Sequence, residues 1–246
     1  MPDSKVSLKL ISLFPEALKA YFEKGIFERG LLNNRFEIEF INLRDFSKKK
    51  FKQVDDAPYG GRQGMVIKPD VIYDAITSID HYQEYRLLYT CPKGPCVNQK
   101  MVAQWYDDSK IILLCGYYEG IDERIIKALD IQRVSVGNLV LSSGELPALI
   151  IAEAIVRQVK GVIGKEASVA NDSIISGLLE HPLYTSPKSF QNQDVPDVLR
   201  SGHHKQIAEW KQKESLRETF LKKPQMLSSY PLTPTDKQLL TDILKE

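Results

Sequence analysis

The sequence predicts an α/β domain built on a mostly parallel sheet, followed by a small helical domain. Three observations carry that expectation. Short apolar runs of strand length alternate with amphipathic stretches up to about Lys160. Two of the amphipathic stretches open with a proline, at Pro15 and Pro69, which suits a first helical turn whose N–H has no partner anyway. Beyond Lys160 the alternation stops, and a Gly- and Ser-containing stretch leads into helical patterns alone. Strand–helix alternation of this kind places helices on both faces of a parallel sheet.

The elements follow in order. Val6–Leu13, Phe36–Asn42, Arg86–Thr90, Lys110–Cys115 and Ile131–Val136 are rich in Ile, Leu, Val and Tyr and read as strands. Pro15–Leu32, Pro69–Ile79, Asn98–Asp107, Asp122–Leu129 and Leu146–Val159 read as helices between them. Residues 161–176 contain Gly161 and Gly164 with Ser168, Asn171, Asp172 and Ser173, and read as an interdomain linker entering a short helix, with Asp172 as its N-cap. A Pro- and polar-rich stretch follows Tyr184, and His203–Leu221 and Pro234–Leu244 then complete a helical tail. The expected division is therefore 1–160, linker 161–176, and 177–246.

Composition excludes several classes. With 43% hydrophobic and 26% charged residues in 246, the chain has an ordinary globular mix and enough length for a real core. A net charge of +1 gives no global reason to bind nucleic acid, so any RNA contact has to come from a local patch. Three cysteines, Cys91, Cys96 and Cys115, are too few and odd in number for a disulfide framework, and reduced thiols are expected. The apolar run Val6 to Phe14 is short, interrupted by Lys9 and stopped by Pro15, unlike a signal peptide. No run approaches the ~20 apolar residues of a membrane span. The expectation is a cytoplasmic protein with no membrane contact.

In an open parallel sheet, ligands bind at the carboxyl ends of the strands. Three loops there stand out: TCPKGP at 90–95, GYYEG at 116–120 and GNLVLSSGELP at 137–147. A long fourth connection, 44–64, calls for a functional explanation of its own. Neither G-x-G-x-x-G after the first strand nor G-x-x-x-x-G-K-[ST] occurs, which weakens the nicotinamide-dehydrogenase and P-loop readings. A cofactor without a pyrophosphate needs neither. Each motif has a plain structural alternative. TCPKGP can be a rigid turn. Asp122 and Glu123 fit helix-dipole complementarity, which does not account for Glu119 beside two glycines and two tyrosines. The CPKGPC cysteines have no second pair with which to hold zinc. DDAPYGGRQGM at 55–65 can be a mobile surface loop. Just before it, FSKKKFKQ sets Lys48, Lys49, Lys50 and Lys52 among Phe46 and Phe51, a pattern that suits a phosphate backbone with an aromatic nearby. Such runs are otherwise solvated surface. Arg157 suits a helix C-terminus in any protein.

The combination is more specific than its parts. GYYEGIDER, SVGNLVLSSGELPAL, VIGKEAS, NDS, GLLEHPLYTSP, VPDVLRSGHH and WKQKESL occur in this order, with FPE near the N-terminus and DDAPYGGRQGM between. Together, over roughly residues 6 to 221, they closely resemble the TrmD family, the bacterial tRNA (guanine-N1)-methyltransferases of the SPOUT superfamily. The resemblance implies methyl transfer from S-adenosylmethionine to N1 of the guanosine immediately 3′ of the anticodon, which maintains the reading frame. It also implies a C-terminal trefoil knot in the first domain and a homodimer whose active site is shared between chains. Topology rules alone argue against the knot.

Carried over by motif, the cofactor falls among Tyr89, Thr90, Pro92 and Gly94, then Gly116, Tyr118, Glu119 and Gly120, then Val136, Gly137, Leu139, Leu141 and Gly144. Arg157 corresponds to the family's essential arginine and Asp172 to its general base. Gly61, Ser173 and His204 join the four lysines as RNA contacts, and Glu119 is the candidate for a family Mg²⁺. The chain departs from the family pattern in the TCPKG run and at Tyr117, Asn138, Leu139, Ser143, Arg62, Gln63, His203 and His204, and none of these departures falls on Arg157 or Asp172. An RNA-binding module without catalysis would keep the lysines but has no need for Arg157 and Asp172, and a nicotinamide oxidoreductase would need the missing pyrophosphate loop.

Overall fold

The computed structural model describes residues 5–61, 63–163 and 176–245. Asp172 and Ser173, assigned to catalysis and RNA contact, lie outside the described residues, as does Arg62. The chain forms two compact units, Met1–Gly164 and Lys165–Glu246.

The first unit holds a five-stranded sheet in the order β2-β1-β6-β5-β7. Its strands are β1 (Val6–Ser12), β2 (Phe36–Asn42), β5 (Arg86–Thr90), β6 (Lys110–Cys115) and β7 (Gln132–Val134). Every pairing is parallel. Side chains alternate across it as the pleat requires. Ile111, Leu113 and Cys115 of β6 enter one core with Val6, Leu8 and Leu10 of β1, while Ile112 and Leu114 enter the other. Helices α1 (Pro15–Phe22), α2 (Gly25–Leu32), α4 (Gln99–Asp108) and α6 (Glu145–Val156) supply the first core, which includes the buried Phe22 and Trp105. Helices α3 (Pro69–Thr77) and α5 (Glu123–Ala128) cover the opposite face.

The expected α/β architecture, parallel sheet and C-terminal helices are present, with three local differences. The stretch read as one helix over Pro15–Leu32 is two, because Gly25 takes φ +67°. That left-handed conformation is open to glycine at little cost and ends an α-helix. The last strand is shorter than its apolar run, ending at Val134. The 44–64 connection leads into a small antiparallel ladder, β3 (Asp55–Asp56) on β4 (Val66–Ile67).

In the second unit, Leu178, Leu216 and Ile243 form a small core with Leu227, Tyr230, Leu232, Leu239 and Leu240 packed on it. Helices α7 (Asp197–Arg200), α8 (His204–Lys222) and α9 (Pro234–Ile243) build it. Thr233 and Asp236 close a reciprocal capping box on α9, and Gln212 of α8 donates to Asp236 at 2.7 Å. The polar stretch before α7 carries a hairpin, β8 (Ser189–Phe190) on β9 (Gln193–Asp194), turning through Gln191 and Asn192 at φ 48° and 61°. Two successive left-handed residues match the right-handed twist of a hairpin. Among the described residues no helix is long and apolar enough to cross a membrane.

Candidate active site

The carboxyl ends of β5, β6 and β7 feed three loops that interlock. After β5 the chain runs alongside the end of β7: Cys91 N–H donates to Val134 O (2.9 Å), Ser135 N–H to Pro95 O (2.9 Å) and Val97 N–H to Ser135 O (2.8 Å). Gly94 sits at the tightest point of this crossing, where a Cβ would lie 2.4 Å from Val134 N and 2.5 Å from Arg133 C. Both obstacles are backbone and cannot rotate away. Gly94→Ala should therefore cost about 1–3 kcal/mol, the usual range for overpacking. Urea unfolding reads that loss. A variant with an unchanged midpoint would mean that the crossing is slack.

The loop after β7 returns to the middle of the sheet. Gly144 N–H donates to Gly116 O at 2.7 Å, and Thr90 Oγ1 donates to Gly144 O at 3.2 Å. A Cβ on Gly144 would stand 2.3 Å from Thr90 Oγ1 and 2.5 Å from Gly116 N, so only glycine lets these segments meet. The loop after β6 turns through Tyr118 at φ 54° and Gly120 at φ 119°. Beneath it Tyr89 is buried, and burial pushes its phenol up to about 12.

The glycine-rich connection joins this loop directly. Glu119 N–H donates to Met65 O (3.0 Å) and Ile67 N–H to Gly120 O (3.0 Å). Gly64, at φ +100°, has Glu119 Cγ 2.5 Å from where its Cβ would be. The 55–67 segment is thus part of the wall that holds Glu119. This coupling gives a structural reason for the glycine at position 64 that spacing alone did not supply.

Together the loops enclose a cavity of about 490 Å³. Of the residues assigned to the cofactor, Tyr89, Thr90, Pro92, Gly116, Tyr118, Glu119, Gly120, Val136, Leu139, Leu141 and Gly144 line it. Gly94 and Gly137 do not: Gly94 serves the backbone crossing, and Gly137 supplies φ +128° in open space. Sequence reasoning missed Cys91, Lys93, Ser135, Ser143 and Pro147, and also the ion pair between Arg133 and Glu123 on the cavity wall. The Arg133 guanidinium, by hydrogen bonding, holds the Glu123 carboxyl below its usual range. Asp122 caps α5 by accepting from Arg124 N–H at 2.8 Å, which fits its plain structural reading.

Glu145, the first residue of α6, is buried at 7% exposure and accepts from Ser12 Oγ at 2.6 Å. Burial, with the Glu145 charge adding to it, pushes the neighbouring Cys115 thiol well above its usual range and keeps it inert. Tyr117, one of the departures from the family pattern, meets Phe14 at a tilt (centroids 5.2 Å apart) and Tyr118 edge-on (4.7 Å). Arg157 sits at the far end of α6 from Gly144 and is partly buried. Gly61, at φ +75°, and the four lysines belong to the 44–64 connection, while His204 opens α8 in the second unit.

The profile of the family described as tRNA (Guanine-1)-methyltransferase TrmD matches residues 6–229. The chain belongs to the TrmD family. Relatives named tRNA (guanine-N(1)-)-methyltransferase include one from Geobacillus kaustophilus (strain HTA426), 42% identical over 240 residues, covering 97% of this chain and 98% of the relative. One from Staphylococcus epidermidis (strain ATCC 12228 / FDA PCI 1200) is 39% identical over 241 residues, covering 98% of each. One from Dictyoglomus turgidum (strain DSM 6724 / Z-1310) is 41% identical over 239 residues, covering 97% of each. TrmD membership makes this an S-adenosylmethionine-dependent tRNA (guanine-N1)-methyltransferase, and it accounts for a carboxyl-edge cavity that has no pyrophosphate-binding motif.

Proposed function

We propose that the chain methylates N1 of the guanosine immediately 3′ of the anticodon, as a homodimer in which each active site draws residues from both chains. The cavity carries this reading. Its walls are loops drawn together at Gly94 and Gly144, where any Cβ would collide with backbone or with Thr90, so backbone N–H and C=O groups can approach a flat adenine and a ribose closely. The residues present fit S-adenosylmethionine, which when bound supplies a methyl carbon already activated by its sulfonium. Among the described residues no three His, Cys, Asp or Glu side chains converge. A Mg²⁺ there would take Glu119 as a protein ligand and the rest of its shell from substrate and water.

The chain's own work lies with the nucleophile. N1 of guanine carries a proton, and an unperturbed Asp with a pKa of ~3.9 is a weak base for it. Arg157 makes the transfer feasible by placing a permanent planar charge against O6, where negative charge develops as the proton leaves. Asp172 takes that proton, and holding N1 in line with the methyl carbon supplies much of the remaining acceleration.

Two features support the dimer and the knot. Leu146 and Ile150, one turn apart on α6, are 60% and 55% exposed, and Val140 in the preceding loop is fully exposed. An apolar stripe this open on a helix suits burial against a second copy. For the knot, β7 pairs with β5 at the sheet's edge, yet α6 packs on β1, β6 and α4, so the chain must return to the middle past the loop that embraces β7. A return past that loop agrees with the trefoil that the family resemblance implies. The 161–176 stretch would then be the linker that brings Asp172 to the site.

Methyl transfer from labelled S-adenosylmethionine to an unmodified tRNA transcript tests the reaction. Label should appear at the guanosine 3′ of the anticodon and vanish when that base is replaced by adenosine. Label at other positions of the replaced transcript would overturn the assigned target. For the lysines, Lys48 and Lys52 already pair with Asp74 (2.7 Å) and Asp45 (2.5 Å) on the surface, where such pairs are weak. Pairs that weak exchange readily for a phosphate, so replacing all four lysines with Ala should weaken binding more than replacing Lys49 and Lys50 alone. The fourfold replacement should lower the slope of log affinity against log salt by roughly one for each phosphate left without its lysine. An unchanged slope returns the run to solvated surface.

A further inference from the structure

We infer that Phe51 is a stacking platform for an unpaired nucleobase of the tRNA; this rests on the proposed function. Two observations single out the residue. It is 87% exposed, more than any other phenylalanine among the described residues, in a chain with two well-formed cores. Its backbone is left-handed, at φ 62° and ψ 22°, and Lys52 follows at φ 53°. A bulky side chain rarely adopts that conformation, and such outliers cluster at ligand contacts. Here the backbone turn carries the ring outward instead of into the neighbouring core.

The surroundings name the ligand. Phe51 is flanked in sequence by Lys48, Lys49, Lys50 and Lys52, and Lys50 Nζ lies 5.1 Å from the ring centroid. A cation over an aromatic face, beside further cations, is ill suited to an apolar protein partner. It matches single-stranded nucleic acid, in which a base offers a π-face and the adjoining phosphates offer negative charge. A base laid on the open ring would set its own phosphates within reach of the lysines. The position is also right. The segment leaves the carboxyl end of β2 and continues into β3 and β4, and Ile67 of β4 bridges to Ile121 beside the Glu119 loop of the cavity. Phe51 thus stands on the connection that joins the sheet's carboxyl edge to the cavity wall.

Stacking and charge are separable by experiment. Phe51→Ala, Phe51→Leu and Phe51→Trp are compared for tRNA affinity over a range of salt. The parent transcript is set beside transcripts that each carry one abasic residue in the anticodon loop. Phe51→Ala should bind the parent about tenfold more weakly, within the range of one base–aromatic stack, and keep the wild-type salt slope. Trp should restore affinity, and Leu, which keeps apolar bulk without a π-face, should not. One abasic transcript should lose the same factor against wild type and nothing against Phe51→Ala, which is the signature of a direct pair. Equal affinity of Phe51→Ala on a tRNA that the wild type methylates overturns the stacking alone. So does a Leu variant that binds tRNA as tightly as the wild type, or a set of abasic transcripts none of which couples to Phe51. Wild-type protein that binds no tRNA overturns the parent reading and this one with it.

Discussion

Asp172→Asn should reduce single-turnover methylation by about 10²–10⁴-fold, the range that a positioned general base supplies. The affinity for S-adenosylmethionine should stay within a few-fold of wild type. Asparagine keeps the size and hydrogen-bonding reach of aspartate and loses only the ability to accept a proton as a base. In the proposed reaction that ability is the whole contribution of residue 172, because the cavity residues are drawn from other loops. Arg157 does not compensate. A guanidinium against O6 lowers the cost of removing the N1 proton but cannot receive it. The measurement is transfer of labelled methyl with enzyme in excess over tRNA, beside a calorimetric titration with the cofactor. Near-normal transfer by a folded variant removes Asp172 from the base role. Cofactor binding lost in parallel would make it a structural residue of the cofactor site.

The two kinds of information in this chain differ in how locally they are written. Strands such as Lys110–Cys115 were legible because burial on both faces leaves a continuous apolar run, and that pattern needs no knowledge of the neighbours. The cavity loops were legible as loops, since parallel-sheet chemistry gathers at carboxyl ends. What a glycine does there was not. Gly94 and Gly144 look alike in the sequence, yet one clears the backbone of β7 and the other clears Thr90 and Gly116 at the cavity itself. The difference is set by a segment about 40 residues away in one case and by two separate loops in the other, and periodicity carries no such distances. The break at Gly25 was missed for a related reason, because helical periodicity on either side of a glycine continues through a change of axis. The hairpin at Ser189–Asp194 has strands of two residues, too short to show alternation.

Arg157 illustrates the limit most clearly. Motif order brings it close to the cofactor loop, but α6 intervenes. Glu145–Val156 is a 12-residue helix, and at 1.5 Å per residue it sets Arg157 about 20 Å from Gly144 along the axis. That separation is awkward for a site built from one chain. It becomes natural if the far end of α6 serves a cavity in a partner copy, with the exposed Leu146 and Ile150 between them as contact surface.

Mixed dimers of two inactive variants should therefore regain activity. One chain carries Asp172→Asn with an intact cofactor loop. The other carries Gly144→Trp, whose indole cannot be placed where even a Cβ would lie 2.3 Å from Thr90 Oγ1, and it keeps its own Asp172. If each site combines the cofactor loop of one chain with residue 172 of the other, a mixed dimer contains one complete site and one doubly damaged site. After the chains are unfolded together and refolded at equal amounts, half the dimers are mixed, and activity should approach about a quarter of wild type per site. Each variant refolded alone should stay inactive, which excludes reversion during handling. If every chain builds its own site, the mixed dimer holds two incomplete sites and no activity returns. Mass spectrometry of intact dimers under native conditions establishes that the mixed species formed. Its presence without activity would sink the shared site while leaving the assignments of Asp172 and Arg157 to be judged on single-variant kinetics. Activity near a quarter would instead fix the dimer as the catalytic unit. The backbone crossing around Gly94 would then shape one wall of a site that the partner chain completes.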